Sequence, residues 1–151
     1  MSNLKNNFIE SIGNTPLIKL KAASEITGCN IYGKAEYLNP GGSVKDRAAL
    51  ALINDAEQKN LISKGGTIVE GTAGNTGIGL AVVCKQYGLK LKIVIPKTQS
   101  IEKKETLRNL GAELIEVDAV PYSDPKNYIK QSRQIALDLN KTNSNGVYWA
   151  N

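Results

Sequence analysis

Histidine does not occur anywhere in the 151 residues. Its absence removes serine–histidine and cysteine–histidine nucleophilic catalysis and most zinc sites, so no metal is expected. The two cysteines, Cys29 and Cys84, stand far apart and form no CxxC pair. Cys84 falls in an apolar helical run and reads as a small buried hydrophobe. Aromatic residues make up 5% of the chain and arginines number three. The net charge of +5 comes mostly from scattered lysines. Nucleic-acid readers usually cluster arginine with stacking aromatics, so no nucleic-acid partner is expected. No apolar run approaches the ~18 residues a membrane span needs. The Asn-rich residues 1–10 lack a continuous apolar core, so no secretory signal is expected, and no membrane partner is expected either. The cytoplasm is the default setting.

What is present fits one ordinary globular domain, with 41% apolar and 22% charged residues. Short apolar runs alternate with helical stripes. Strands are expected at Leu17–Leu20, Asn30–Tyr37, Thr67–Glu70, Lys90–Ile95, Glu113–Val117 and Val147–Trp149. Helices are expected over Val44–Ala56 and Ile78–Tyr87, from a Ser100 cap to Asn109 before Gly111, and from an Asp124 cap with Pro125 at the first helical position to Asn140. Strands alternating with helices predict an α/β fold with an open, mostly parallel sheet flanked by helices.

Two stretches carry the chemistry. The first is Asn39-Pro40-Gly41-Gly42-Ser43-Val44-Lys45-Asp46-Arg47. A Pro-Gly-Gly turn runs into a helix, with Ser43 as its expected N-cap and Asp46 completing a capping-box-like pair. Lys45 then falls in the first helical turn, where the helix dipole disfavours a cation and lowers the cost of a neutral amine. Such an amine can attack a carbonyl and form a Schiff base. Lys45 is also one of 16 lysines, and a plain solvated surface role stays open beside the nucleophilic one.

The second stretch is Gly71-Thr72-Ala73-Gly74-Asn75-Thr76-Gly77, between a strand and a helix. Its spacing, GxxGxxG, is neither the dinucleotide fingerprint nor the P-loop. Glycines at 71, 74 and 77 would let the backbone approach a ligand, and the helix start would aim its N–H groups into the loop. Thr72, Asn75 and Thr76 add side-chain donors that suit a carboxylate or phenolate. A tight strand-to-helix turn whose glycines serve packing alone is the competing reading.

Together with Ile12-Gly13-Asn14-Thr15-Pro16-Leu17 and the later Ser100-Ile101-Glu102-Lys103-Lys104 helix leading to Gly111-Ala112-Glu113, these motifs resemble the fold-type-II pyridoxal-phosphate enzymes. Within them the cysteine synthases (O-acetylserine sulfhydrylases) are the nearest match, with cystathionine β-synthase close by. The resemblance implies a pyridoxal 5'-phosphate cofactor held covalently by Lys45. It implies that Asn75 hydrogen-bonds the ring's 3' oxygen. It also implies that Thr72, Ala73, Gly74, Asn75 and Thr76 form the loop that receives the substrate α-carboxylate. The implied reaction is β-replacement on an activated L-serine, O-acetyl-L-serine and sulfide giving L-cysteine, as a transferase or lyase of amino-acid biosynthesis. A cystathionine β-synthase-like or serine/threonine dehydratase activity is the alternative within the family, and a non-catalytic remnant or assembly partner is the alternative outside it.

Two departures stand beside the resemblance. The common loop has serine where Ala73 stands, removing one hydroxyl that could meet substrate. Relatives also run to roughly twice this length. The resemblance therefore implies that residues 1–151 are the N-terminal half of a synthase, with a segment near 17–38 that crosses to the larger domain and a small domain over about 39–148. A substrate-binding glutamine, the cofactor-phosphate loop and the partner of the pyridine nitrogen would follow Asn151. A chain of this extent is expected to expose apolar surface, to hold the cofactor poorly alone, and to form a homodimer or pair with a C-terminal half.

Overall fold

A computed structural model describes residues 4–151. Its elements run β1 (Leu17–Lys19), α1 (Lys21–Thr27), β2 (Tyr32–Lys34), α2 (Lys45–Gln58), β3 (Thr67–Gly71), α3 (Asn75–Tyr87), β4 (Lys90–Pro96), α4 (Ile101–Asn109), β5 (Glu113–Val117), α5 (Tyr128–Asn140) and β6 (Val147–Trp149). Single 3-10 turns lie at Ile9–Ser11 and Glu36–Leu38. The chain is an α/β fold.

The main sheet has the order β5-β4-β3-β6, and every pairing in it is parallel. β3 is flanked by β4 on one side and β6 on the other: α3 leads from β3 to β4, and α5 carries the chain from β5 back across to the far flank of β3. In open α/β sheets ligands settle beyond the carboxyl ends of the strands at such a reversal. The glycine loop leaves β3 at that end.

Side-chain alternation sorts the two faces. Ile68, Leu91, Ile93 and Ile95 join Ile53 of α2, Leu80 and Val83 of α3 and Leu107 of α4 in one core. Ile53, Leu80 and Val83 have no exposed surface, each worth about 1.5–3 kcal/mol of burial. Gly71 faces the other way, against α5, where an added Cβ would lie 2.7 Å from Ile129 Cα and from Ser132 Oγ. Trp149 of β6 reaches the same side and donates its indole N–H to Ser132 Oγ at 2.9 Å.

Residues 17–34 stand apart from this sheet. Among the described residues β1 and β2 pair only with each other, antiparallel, and across this segment Leu17, Leu20, Ile26 and Tyr32 are exposed. Between them lies α1, a helix that the strand-and-turn reading did not include; it stops at Gly28, whose φ is +68°.

Several boundaries moved. α3 begins at Asn75, three residues before the expected Ile78, because Gly74 is extended and the loop's own residues complete the first turn. α5 is capped by Asn127, whose Oδ1 accepts the Ile129 N–H at 3.1 Å, and not by Asp124. Asp124 instead closes a separate turn, its carbonyl accepting the Asn127 N–H at 3.1 Å. Ser100 does cap α4, accepting from the Lys103 N–H, and Gly111 follows that helix at φ +96°. Among the described residues no helix is long and apolar enough to cross a membrane.

Candidate active site

Two helix starts meet near the carboxyl end of β3. The first is prepared by the Asn39–Gly42 turn, in which the Gly42 N–H donates to the Asn39 carbonyl at 2.8 Å and Gly42 takes φ +78°. Ser43 is not the N-cap. Val44 holds that place with helical dihedrals and no side-chain cap bond, while Ser43 Oγ accepts the Lys45 N–H at 3.2 Å. Asp46 likewise does not reach back to Ser43. Its carboxyl turns inward, is fully buried, and accepts the Gly41 N–H through Oδ2. The turn crosses the helix start and brings Gly41 under Asp46 before Ser43 can be reached. Burial pushes this carboxyl upward from the ordinary aspartate range, opposed by the Gly41 bond.

Lys45 itself is exposed, and among the described residues its Nζ has no hydrogen-bond or ion-pair partner. Its backbone is held tightly. An added Cβ at Gly79 would lie 3.0 Å from both the carbonyl carbon and oxygen of Lys45 and 3.1 Å from the Asp46 nitrogen. Only a glycine at 79 lets α2 approach α3 so closely. Asn75 sits four residues earlier on the same face of α3, about 6 Å along the axis.

The loop between β3 and α3 divides its glycines between two duties. Gly77 is a packing glycine, where a Cβ would lie 2.9 Å from Thr72 Cγ2. Gly71 is one too, against α5. Gly74 alone of the three faces open space. The expectation that all three admit a ligand is therefore corrected: two are filled by protein. Thr72 is buried, continues the ladder by donating its N–H to the Val94 carbonyl at 3.2 Å, and accepts the Gly74 N–H on Oγ1 at 3.2 Å. Its hydroxyl oxygen thus serves the loop. Asn75 is exposed; Ala73 and Thr76 are half-buried. No side chain caps α3, so the N–H groups of its first turn carry the partial positive charge of an uncapped helix start.

Three further residues shape the site that motif reading did not single out. Gly79 was hidden inside an apolar helical run, with only the Gly-Ile-Gly spacing to mark it. Gln99 donates its side-chain N–H to the Ala73 carbonyl and pins the loop. Glu70, next to last in β3, is buried, with Oε2 unpartnered among the described residues; burial pushes its carboxyl up to about 7.

Behind Lys45 the motif around residues 12–17 is tied to the turn. The Gly13 N–H donates to Asn39 Oδ1 at 2.8 Å, the Thr15 hydroxyl to Glu36 Oε1 at 2.7 Å, and the Asn39 carboxamide to Glu36 Oε2 at 2.8 Å. Cys84 is buried as expected, its thiol pushed up to about 12 by burial, and Cys29 is exposed.

Comparison with known proteins gives a consistent result. Residues 9–151 match the family described as pyridoxal-phosphate dependent enzyme. Cysteine synthase 1 of Emericella nidulans is 58% identical over 134 residues, covering 89% of this chain and 36% of that protein. Cysteine synthase 1 of Neurospora crassa is 60% identical over 129 residues, covering 85% of this chain and 34% of that protein. The crystal structure of a hydrogen sulfide-producing enzyme from Fusobacterium nucleatum superposes with a TM-score of 0.79 at 39% identity, covering 100% of this chain and 47% of that one. The chain spans about a third of the length of these two curated relatives.

The residues present fit the aldehyde and ring of pyridoxal phosphate. The start of α2, which carries the exposed Lys45, rests against Gly79, one helical turn from the exposed Asn75 at the start of α3, and an added Cβ at Gly74 would meet nothing within 4 Å.

Proposed function

The chain belongs to the pyridoxal-phosphate dependent enzymes, and from that membership we propose that it carries the lysine and the substrate loop of a cysteine-synthase-like enzyme. The proposed reaction replaces the acetoxy group of O-acetyl-L-serine with sulfide to give L-cysteine. One observation supports this reading above the others: the backbone of Lys45 rests on Gly79, one helical turn from Asn75.

When bound, the cofactor supplies an electron sink for the carbanion at the amino acid's Cα. Lys45 would hold the cofactor through its amine, and the free amine would take the proton from Cα. Asn75 would help hold the ring through its carboxamide N–H. The first-turn N–H groups of α3, with Gly74 and the Thr76 hydroxyl, receive the α-carboxylate. Ala73 brings a methyl group where a serine would bring a hydroxyl, and Thr72 supports the loop from beneath.

In this reading residues 39–148 form the small domain, and residues 17–38 cross to a larger one. The exposed apolar side chains of β1, α1 and β2 support it. The proposed partner is a C-terminal half or a second copy, in the cytoplasm.

The test is direct. Pyridoxal 5'-phosphate is added, the adduct is reduced with borohydride, and the labelled peptide is identified by mass spectrometry. Label at Lys45 is the expected result. Label spread over other lysines, with Lys45 unmodified even when a C-terminal half is supplied, refutes the assignment. Product analysis with sulfide or homocysteine, in the presence of that half, separates cysteine formation from cystathionine formation.

A further inference from the structure

We propose that Asp46 is a positioning residue for Lys45: by holding the Pro40–Gly41–Gly42 turn against the start of α2, it fixes the direction in which the Lys45 amine leaves the helix. Only the purpose of this device rests on the reading of Lys45 given above.

Burying a carboxyl is costly unless the site returns the loss through hydrogen bonds. Asp46 has no exposed surface. Among the described residues its one hydrogen-bond donor is the backbone N–H of Gly41. Oδ1 has no partner among the described residues. What the carboxyl accomplishes in this position is therefore to hold Gly41.

Gly41 is fitted to Asp46 in return. It is not among the residues with positive φ; in this turn only Gly42, at +78°, needs glycine for its dihedrals. Glycine at 41 has a different reason: a Cβ would overlap Asp46 Oδ1. The second glycine of the motif admits the backbone conformation, and the first admits the carboxylate.

The consequence falls on Lys45. Its N–H is taken by Ser43 Oγ at 3.2 Å, its carbonyl rests against Gly79, and the next residue is tied to Gly41. Val44, at the N-cap position of α2, makes no side-chain cap bond. The Asp46–Gly41 bond does what a cap would do, fastening the incoming chain to the helix while leaving the amine free.

The experiment needs no cofactor. Amide exchange across residues 41–45 and trace acetylation of Lys45 relative to the exposed Lys64 are measured over a range of pH in the wild-type chain, Asp46→Ala, Asp46→Asn and Gly41→Ala. Asp46→Ala and Gly41→Ala are each expected to speed exchange by about tenfold, as loss of a buried hydrogen bond should, and to change the Lys45-to-Lys64 ratio by at least about twofold. Asp46→Asn keeps an oxygen that can accept the Gly41 N–H, and is expected to stay near wild type in both. A merely structural role would lower the urea midpoint without singling out Lys45. If Asp46→Ala does not fold, Gly41→Ala decides by the same criteria. A folded Asp46→Ala or Gly41→Ala chain with an unchanged acetylation ratio overturns the proposal. Borohydride label on another lysine, with these shifts observed, counts against the Lys45 chemistry and leaves the positioning role standing.

Discussion

Arg47 grips Glu36 through two parallel hydrogen bonds, Nε to Oε2 at 2.9 Å and Nη2 to Oε1 at 3.0 Å. The pair fastens the first turn of α2 to the 3-10 turn at Glu36–Leu38, and so fixes the base from which Lys45 projects. Arg47 and the Thr15 hydroxyl together hold the Glu36 carboxyl down at about 2, well below its ordinary 4.5.

A carboxyl whose folded pKa is depressed contributes stability above its unfolded value and loses it as pH falls. The Glu36 contribution is expected to be complete above about pH 4.5 and to vanish as pH falls through about 2. Urea midpoints followed through this window should fall for the wild-type chain. Glu36→Gln should start lower and show a flatter acid dependence. Equal slopes would mean that the clamp contributes nothing.

Glu70 should show the opposite sign. Burial raises its folded pKa to about 7 from 4.5, so ionisation is resisted in the fold. The resulting penalty is absent below about pH 4.5, grows as pH rises, and is complete above about 7. Glu70→Gln should match the wild-type midpoint at the acid end of that window and exceed it at the alkaline end. A difference that stays constant with pH would rule out ionisation as its cause.

Gly79→Ala places a methyl group against the Lys45 carbonyl, 3.0 Å away. Overpacking of this kind costs about 1–3 kcal/mol. The expected outcome is a lower unfolding midpoint together with reduced borohydride trapping of pyridoxal phosphate at Lys45. Unchanged trapping in a folded variant would show that the approach of α2 to α3 does not set the amine's placement.

The loop glycines should separate in the same way. Gly71→Ala drives a Cβ into the Ile129 backbone and should destabilise the fold by about 1–3 kcal/mol. Gly74→Ala meets no neighbour within 4 Å, and its unfolding midpoint should stay close to wild type. If Gly74 fronts the substrate carboxylate, the same variant should weaken amino-acid binding once a complete enzyme is assembled. Calorimetric unfolding of the two variants gives the first comparison.

Much of this architecture was legible in the sequence because strong local signals agreed with the tertiary arrangement. The parallel sheet followed from apolar runs spaced by helical stripes, and Ser100 and Gly111 bounded α4 as their chemistry dictates. Reading failed where a polar residue had two possible partners. Asp46 matched a capping spacing but found Gly41, a contact made by the fold of the turn. Asp124 matched a cap but was overtaken by Asn127, which is buried and also donates its carboxamide N–H to the Val120 carbonyl at 2.9 Å. The loop glycines looked alike because spacing cannot say which faces a helix and which faces open space. Gly79 needed knowledge of α2 lying across α3.

The position of β6 beside β3 governs the order in which this molecule can be assembled. Thr67 pairs with Val147 and Val69 with Trp149, so one flank of β3 stays without its neighbour while everything from β4 to α5 emerges from the ribosome. During that interval β3 offers a bare row of amide and carbonyl groups to any strand nearby. Slower synthesis after α3 should lengthen the vulnerable period, and a chaperone that shields that flank should raise the yield of native protein more than one that only shelters apolar side chains.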